Sequence, residues 1–417
     1  MRILWVKAGK LLPVDTGGKI RSYNLLKHLA TRNEVTFLSY YGGPRDKAYE
    51  EEINQHLQGA VTMHTAAPAS SIGQSFNYLL HIHSKEPFAV TKFTDSKVRR
   101  IVRAWLDERR FDVAVCDFLS ASLNFPRELK TPVVLFQHNV ESALWERQAK
   151  HEPNPVKRIA FKLEASKMLR YERATVKRFH HIIAVSDHDR ELMSHMTNSS
   201  RITVVPTGVD LQQYAAAVNA KLSGEKKPLV LFLGSMDWEA NVDGVDYFCR
   251  NIWPSVLEAV PGARFRIVGR NPHPRVMKLI SDSVEVTGRV PSVVEHLQEA
   301  AVFVVPLRVG GGTRLKIYEA MAAGKAVVST TIGAEGLDVN HGKDILLADD
   351  AENFAASVIK LLKDAEMRQR FETAAARLAA QYDWATVTRK FEDSLVHAVK
   401  FSASPHDAAA IAAPVNV

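Results

Sequence analysis

The feature that most limits how this 417-residue chain can fold is an alternation sustained from end to end: short runs rich in Val, Ile, Leu and Phe, each followed by a stretch with helical spacing. Runs that are apolar throughout, without the every-other-residue polarity of half-exposed strands, suit strands covered on both faces. Such strands occur in parallel sheets wound with helices. In the first half the runs Arg2 to Val6, Glu34 to Ser39, Asp112 to Cys116, Pro132 to Gln137, His181 to Val185 and Ile202 to Val205 read as strands. In the second half the same holds for Leu229 to Leu233, Arg264 to Val268, Val284 to Thr287, Val302 to Val305, Ala326 to Ser329 and Ile345 to Leu347. The polar stretch Asn219 to Lys227 separates the two series. The expectation is an α/β protein with two Rossmann-like, doubly wound domains facing across a cleft. The first spans 1–218 and the second 228–383, joined by a linker at 219–227. A helix over 384–401 is expected to pack back on the first domain, ahead of a disordered tail at 402–417.

Composition narrows the class. No apolar run reaches the roughly 18 residues that span a bilayer, and the opening Met1 to Lys7 meets a second charge before any long apolar stretch. A cytoplasmic location follows as an expectation, on the inner face of the membrane if the protein is peripheral. Cys116 and Cys249 lie far apart in apolar segments and read as buried thiols, not as a disulfide or zinc site. The net charge of +8 calls for an anionic partner. Much of it lies between Lys150 and Arg178, where Lys157, Arg158, Lys162, Lys167, Arg170, Arg173, Lys177 and Arg178 recur at helical spacings among Ile159, Phe161, Leu163, Met168 and Leu169. An amphipathic cationic helix is expected there, with an anionic membrane surface as its candidate partner and a solvated face as the plain alternative. The cations are not interleaved with stacking aromatics, so nucleic acid is not expected.

Ligands of open parallel sheets sit beyond the carboxyl ends of the strands, which directs attention to the loops there. After the first strand, Gly17 and Gly18 in Leu12-Pro-Val-Asp-Thr-Gly-Gly-Lys-Ile20 would let backbone amides approach an anion, although a turn needing glycine explains them equally. His138 and Glu141 follow the run Val133 to Gln137. Gly234 ends the first strand of the second series, and Gly288 with Arg289 ends the third, where backbone could read a base edge. The densest stretch runs from Val304 to Val328. There a strand meets Gly310, Gly311 and Gly312, and Thr313, Arg314, Lys316 and Glu319 follow at the start of a helix. Glycines for close approach, a helix N-terminus and two cations make a cradle for phosphate, with Glu319 placed to accept from a sugar diol. The pattern is neither an NTPase P-loop nor a dinucleotide fingerprint. Asp187-His-Asp189 has a metal-like spacing, but Ser186 before it reads as a helix cap, so no metal site is expected.

On these residues the chain resembles glycosyltransferase family 4, the retaining enzymes of GT-B fold, over nearly its whole length. The likeness rests on Val-x-Gly-x-Val, the glycine-rich loop, Glu-Ala-Met-Ala-x-Gly and Val204-Val-Pro-Thr-Gly-Val-Asp210. The segments His138-Asn-Val-Glu141 and Gly234-Ser-Met-Asp-Trp238 look like a branch found in bacterial exopolysaccharide clusters. The resemblance implies a metal-independent transferase without a cofactor, using a nucleotide-diphosphate sugar, UDP- or GDP-linked, and a glycan or lipid-linked acceptor. It implies that Glu319 holds the ribose, that Gly17 and Gly18 approach the donor phosphates and that His138 lies beside the sugar. Two departures stand out: Gly311 replaces the first acid of the usual acid pair, and Ser235 to Asp243 lacks the usual Arg and Lys. Arg314 and Lys316 are assigned that cationic role. A nucleotide-sugar epimerase of the same fold, or a membrane-docked nucleotide-sugar binder with weak catalysis, are the alternatives.

Overall fold

A computed structural model describes residues 1–65, 84–152, 154–219, 228–309 and 315–402. The expected tail beyond Ser402, most of the polar linker and the segment Gly310 to Arg314 lie outside the described residues. The chain divides into two compact units, one formed by Met1–Pro206 with the chain from Val387 on, the other by Thr207–Thr386.

The first unit is built on seven strands: β1 (Arg2–Ala8), β2 (Glu34–Tyr41), β3 (Val61–His64), β4 (Val113–Asp117), β5 (Val133–Phe136), β6 (His181–Ala184) and β7 (Ile202–Val204). They pair in parallel in the order β3-β2-β1-β4-β5-β6-β7. Ile3 to Val6 in β1 and all of β4 are sealed from solvent, as expected of strands covered by helices on both faces. The helix Trp384–Ser402 supplies part of that cover. Its Phe391 stacks on Trp5 at 5.4 Å and meets Phe136 edge-on at 5.1 Å, while Glu392 accepts from Arg32 and Asn33. The run at β3 escapes a sequence reading because this edge strand has one neighbour and stays only half-buried, so Thr62 and His64 dilute its apolar signal.

The cationic stretch is corrected in three respects. It holds two helices, Glu141–His151 and Pro155–Arg178, the second started by Asn154, whose side chain accepts from the Val156 and Lys157 amides. Lys167 does not face solvent: it is buried and paired with Glu164 at 3.2 Å. Met168 belongs to the core and Phe161 packs edge-on against Trp145 at 5.8 Å, because these positions fall on the side turned toward the neighbouring helix and the sheet.

The second unit carries β8 (Leu229–Leu233), β9 (Arg264–Val268), β10 (Val284–Gly288), β11 (Val302–Val305), β12 (Ala326–Ser329) and β13 (Leu346–Leu347), again parallel, in the order β10-β9-β8-β11-β12-β13. The division between the units falls at Pro206, earlier than the polar stretch that suggested 218. The cause is the helix Leu211–Asn219, which packs on Val294–Glu299 and Leu315–Ala322 of the second unit. At this junction Gly208 has no room for a side chain, since a Cβ there would strike the Trp384 ring.

Candidate functional site

Both sheets reverse their winding once, between β1 and β4 in the first unit and between β8 and β11 in the second. The crevice outside the carboxyl ends of strands at such a reversal is where open α/β sheets take ligands. In the first unit that position is filled by a network of buried charges. Asp117, the last residue of β4, is fully buried; its Oδ2 accepts from Trp5 Nε1 at 2.8 Å, Lys7 Nζ at 3.0 Å and Ser22 Oγ at 2.6 Å. Its Oδ1 meets His138 Nε2 at 2.8 Å. Burial opposes ionisation of Asp117, but the Lys7 ammonium and the bonds from His138 and Ser22 outweigh it and hold the carboxyl below the usual range.

His138 is driven the other way: burial lowers it to about 4 against the pull of Asp117, so its imidazole is neutral at pH 7. A carboxylate can only accept, so Nε2 carries the proton and Nδ1 keeps its lone pair. That Nδ1 is buried without a hydrogen-bond partner among the described residues, and it lies 3.5 Å from where a Cβ on Gly18 would stand. Gly17 and Gly18 open the helix Gly17–Leu29, whose preceding Thr16 makes no side-chain cap and whose first turn has no acid. Unsatisfied amides and a partial positive charge therefore gather beside an imidazole acceptor. Arg21, buried on the same helix, is lowered to about 10 by burial while Asp189 pulls it up. Phe118, next after Asp117, takes φ +77, a conformation that costs an aromatic residue on the order of 1–3 kcal/mol. It is held by its amide bond to the Phe136 carbonyl at 2.9 Å and by its ring against His138 at 5.0 Å.

A second buried acid sets the loop that follows. Glu172 accepts from the amides of Glu141 and Ser142 at 2.9 and 3.0 Å, from Ser142 Oγ at 2.5 Å and from Gln137 Nε2 at 2.9 Å. It thus caps the helix Glu141–His151 from the side and fixes the segment that carries His138. Burial raises the Glu141 carboxyl to about 7, and Glu172 adds to this while Lys92 opposes it.

The second unit uses backbone where the first uses charge. A Cβ on Gly269, after β9, would overlap the Gly234 carbonyl after β8. The Gly234 amide donates to the Val268 carbonyl at 3.0 Å and the Gly269 amide to the Gly288 carbonyl at 3.1 Å, so three glycine turns stack along the edge. Gly288 sits at φ +73, and the following Arg289 is exposed. Lys316 brings its ammonium to the end of β8: Nζ donates to Asn241 Oδ1 at 2.9 Å, lies 4.4 Å over the Phe232 ring and stands 2.8 Å from a Cβ placed on Gly234. The cation missing between Ser235 and Asp243 is thus delivered from another element. Arg270 adds a second, donating to Ser235 Oγ at 2.8 Å. One turn beyond Lys316, burial raises the Glu319 carboxyl while the Tyr214 hydroxyl and Lys316 draw it down.

Gly310, Gly311, Gly312, Thr313 and Arg314 lie outside the described residues, so the expected pairing of Arg314 with Lys316 has no geometry here. Ser186 caps its helix, accepting from the Asp189 amide at 3.1 Å and donating to Asp189 Oδ2 at 2.6 Å, while Asp187 pairs with Arg190 at 2.8 Å. Among the described residues no group of three His, Cys, Asp or Glu is placed to hold a metal ion. No helix among them is long and apolar enough to cross a membrane.

Residues 16–213 match the family model described as Glycosyltransferase Family 4, and residues 227–364 match Glycosyl transferases group 1. A phosphatidyl-myo-inositol mannosyltransferase of Mycolicibacterium smegmatis is 28% identical over 214 residues, 49% of this chain and 54% of its own length. An uncharacterized 44.6 kDa protein from the cps region of Klebsiella pneumoniae is 28% identical over 145 residues, 32% of this chain and 37% of its own. The chain thus spans about half the length, or less, of these curated relatives. Among solved structures, sucrose-phosphate synthase of Thermosynechococcus elongatus superposes with a TM-score of 0.69 at 17% identity, covering 97% of this chain and 100% of its own. HepE of Anabaena, in complex with UDP and glucose, superposes with a TM-score of 0.65 at 14% identity, covering 95% of this chain and 99% of its own. These likenesses carry the fold, which is GT-B.

Proposed function

Because this chain belongs to the glycosyltransferases of family 4 and group 1, we propose that it moves a sugar from a UDP- or GDP-linked donor to a glycan or lipid-linked acceptor, with retention and without a metal ion. The observation that carries the reading is the Lys316 ammonium held against Gly234 and Asn241 at the winding reversal of the second sheet, with Glu319 one turn on. A cation fixed beside glycine turns suits a diphosphate, and an acid at that spacing suits the ribose diol. The named ligands of HepE, UDP and glucose, agree with such a donor. To the first unit we assign recognition of a sugar: His138 Nδ1 accepts from a hydroxyl, and the amides at Gly17 and Gly18 are donors for an anionic group. Charge stabilised by groups already in place lowers the barrier without reorganisation. As the acceptor oxygen bonds to the anomeric carbon on the face the diphosphate leaves, the bond from that carbon to the diphosphate oxygen breaks and the departing oxygen takes the acceptor's proton, so no separate enzymic base is required.

Titration calorimetry with UDP, GDP and their nucleosides tests the donor assignment. One diphosphate should bind at least tenfold tighter than its nucleoside, a gap of about 1.4 kcal/mol. Equal affinities would remove the phosphate role. Proton NMR of the first product formed from an α-linked donor should show the α-anomer, with turnover unchanged by EDTA; a β product or loss with EDTA overturns the corresponding part.

A further inference from the structure

The helix Pro155–Arg178 presents to solvent a face whose composition is explained neither by folding nor by transfer. Among the described residues the large hydrophobic side chains that are exposed include four on this one helix: Val156 at 75%, Ile159 at 62%, Leu163 at 50% and Leu169 at 39%. Lys162, Arg170, Arg173 and Lys177 are exposed between them. At ~100° per residue these cations and Ile159, Leu163 and Leu169 fall within a single arc of about 120°, opposite Glu164, Met168, Glu172 and Thr175, which are buried. Both acids of the helix are engaged on the buried side, Glu164 with Lys167 and the Phe88 amide, Glu172 with the segment after β5. Every exposed ionisable side chain of this helix is therefore basic.

We propose that this face docks the protein on an anionic lipid bilayer. Aliphatic side chains enter the boundary between headgroups and acyl chains while the flexible Lys and Arg stems carry their charges to the phosphates. A second copy of the chain is a poor occupant, since a two-fold contact would set this basic face against itself. A nucleic acid is a poor occupant as well, because the apolar residues are aliphatic and offer no stacking surface. The inference is independent of the transfer reaction and of the donor assignment.

Sedimentation with vesicles tests it. The full chain should pellet with phosphatidylcholine vesicles containing phosphatidylglycerol, less so as salt rises, and remain in solution with pure phosphatidylcholine. The variant Lys162→Glu/Arg170→Glu/Arg173→Glu should bind the anionic vesicles about a hundredfold more weakly, and Ile159→Ser/Leu163→Ser about tenfold more weakly. All these side chains are exposed, so both variants should keep the wild-type melting temperature and nucleotide affinity. The proposal fails if wild type stays in solution with the anionic vesicles, if it pellets equally with pure phosphatidylcholine, or if the charge-reversed variant binds like wild type. Self-association in the ultracentrifuge that the serine variant abolishes would give the face to a second copy instead. Loss of nucleotide binding by the wild type would sink the donor reading and leave the docking intact.

Discussion

The carboxyl edges of the two sheets solve the same problem with opposite materials. The first unit places its chemistry through buried side-chain charge: Asp117 ties β1, β4 and the helix Gly17–Leu29 to His138, and a strained Phe118 packs against the imidazole. The second unit uses close backbone turns at Gly234, Gly269 and Gly288, with the half-buried Lys316 reaching Gly234. In the first edge buried charge is paired with buried charge; in the second the Lys316 ammonium is bonded to a neutral side chain, Asn241. Substitution should therefore cost stability at one edge and affinity at the other.

The largest effect tests this division directly. Asp117→Asn leaves the Lys7 ammonium buried without its counter-charge and should destabilise the protein by about 3–5 kcal/mol in urea unfolding. A loss below about 1 kcal/mol would mean that the network is not structural. His138→Ala should reduce turnover about a hundredfold while donor affinity moves only a fewfold, since the proposed transfer has its Nδ1 act mainly as the reaction proceeds. Parallel losses would make it a binding residue, and an unaltered rate a structural one. Lys316→Ala should weaken UDP or GDP binding about ten- to a hundredfold with little change in unfolding midpoint. If it lowers stability and spares affinity, the two edges are built alike.

The smallest effect is a pH dependence in which two desolvated groups run in opposite senses. His138, held down to about 4 from an ordinary 6.5, binds fewer protons in the native state than in the unfolded chain between those values, so its contribution falls as pH drops. Glu141, raised to about 7 from 4.5, binds more protons in the native state across that window, so its contribution falls as pH rises. Between pH 5 and 7.5 the stability of wild type relative to Glu141→Gln should therefore decline, by on the order of 1–3 kcal/mol. A difference that does not change with pH would remove the claim.

Much of this was legible in the residues. Twelve apolar runs sit on twelve of the strands, and Gly17, Gly18, His138, Gly234, Lys316 and Glu319 are found at carboxyl ends of strands or at the starts of the helices after them. What spacing could not reveal were partnerships across long stretches of chain. Asp117 closes the run Val113-Ala-Val-Cys-Asp117, and an acid at the end of a buried strand was the available signal, but its bonds to Trp5 and Lys7 cross more than a hundred residues. Lys316 was legible as a cation, yet its delivery to Asn241 was not, because helical phase alone does not state which strand end a long side chain reaches. Glu172 was hidden among the cations of its helix: the residues told its position on the helix, whereas burial against Gln137 and Ser142 depends on the fold.

The return of the helix Trp384–Ser402 to the first unit makes that unit discontinuous in the order of synthesis. A ribosome completes Pro206 and must then add the whole of Thr207–Thr386 before Phe391 exists to cover Trp5 and Phe136. At ~5–20 residues per second that interval lasts roughly 10–40 s. The nascent first unit spends it with an aromatic surface bare and prone to self-association, while the second, continuous in sequence up to Thr386, can close sooner. The half made first is thus finished last.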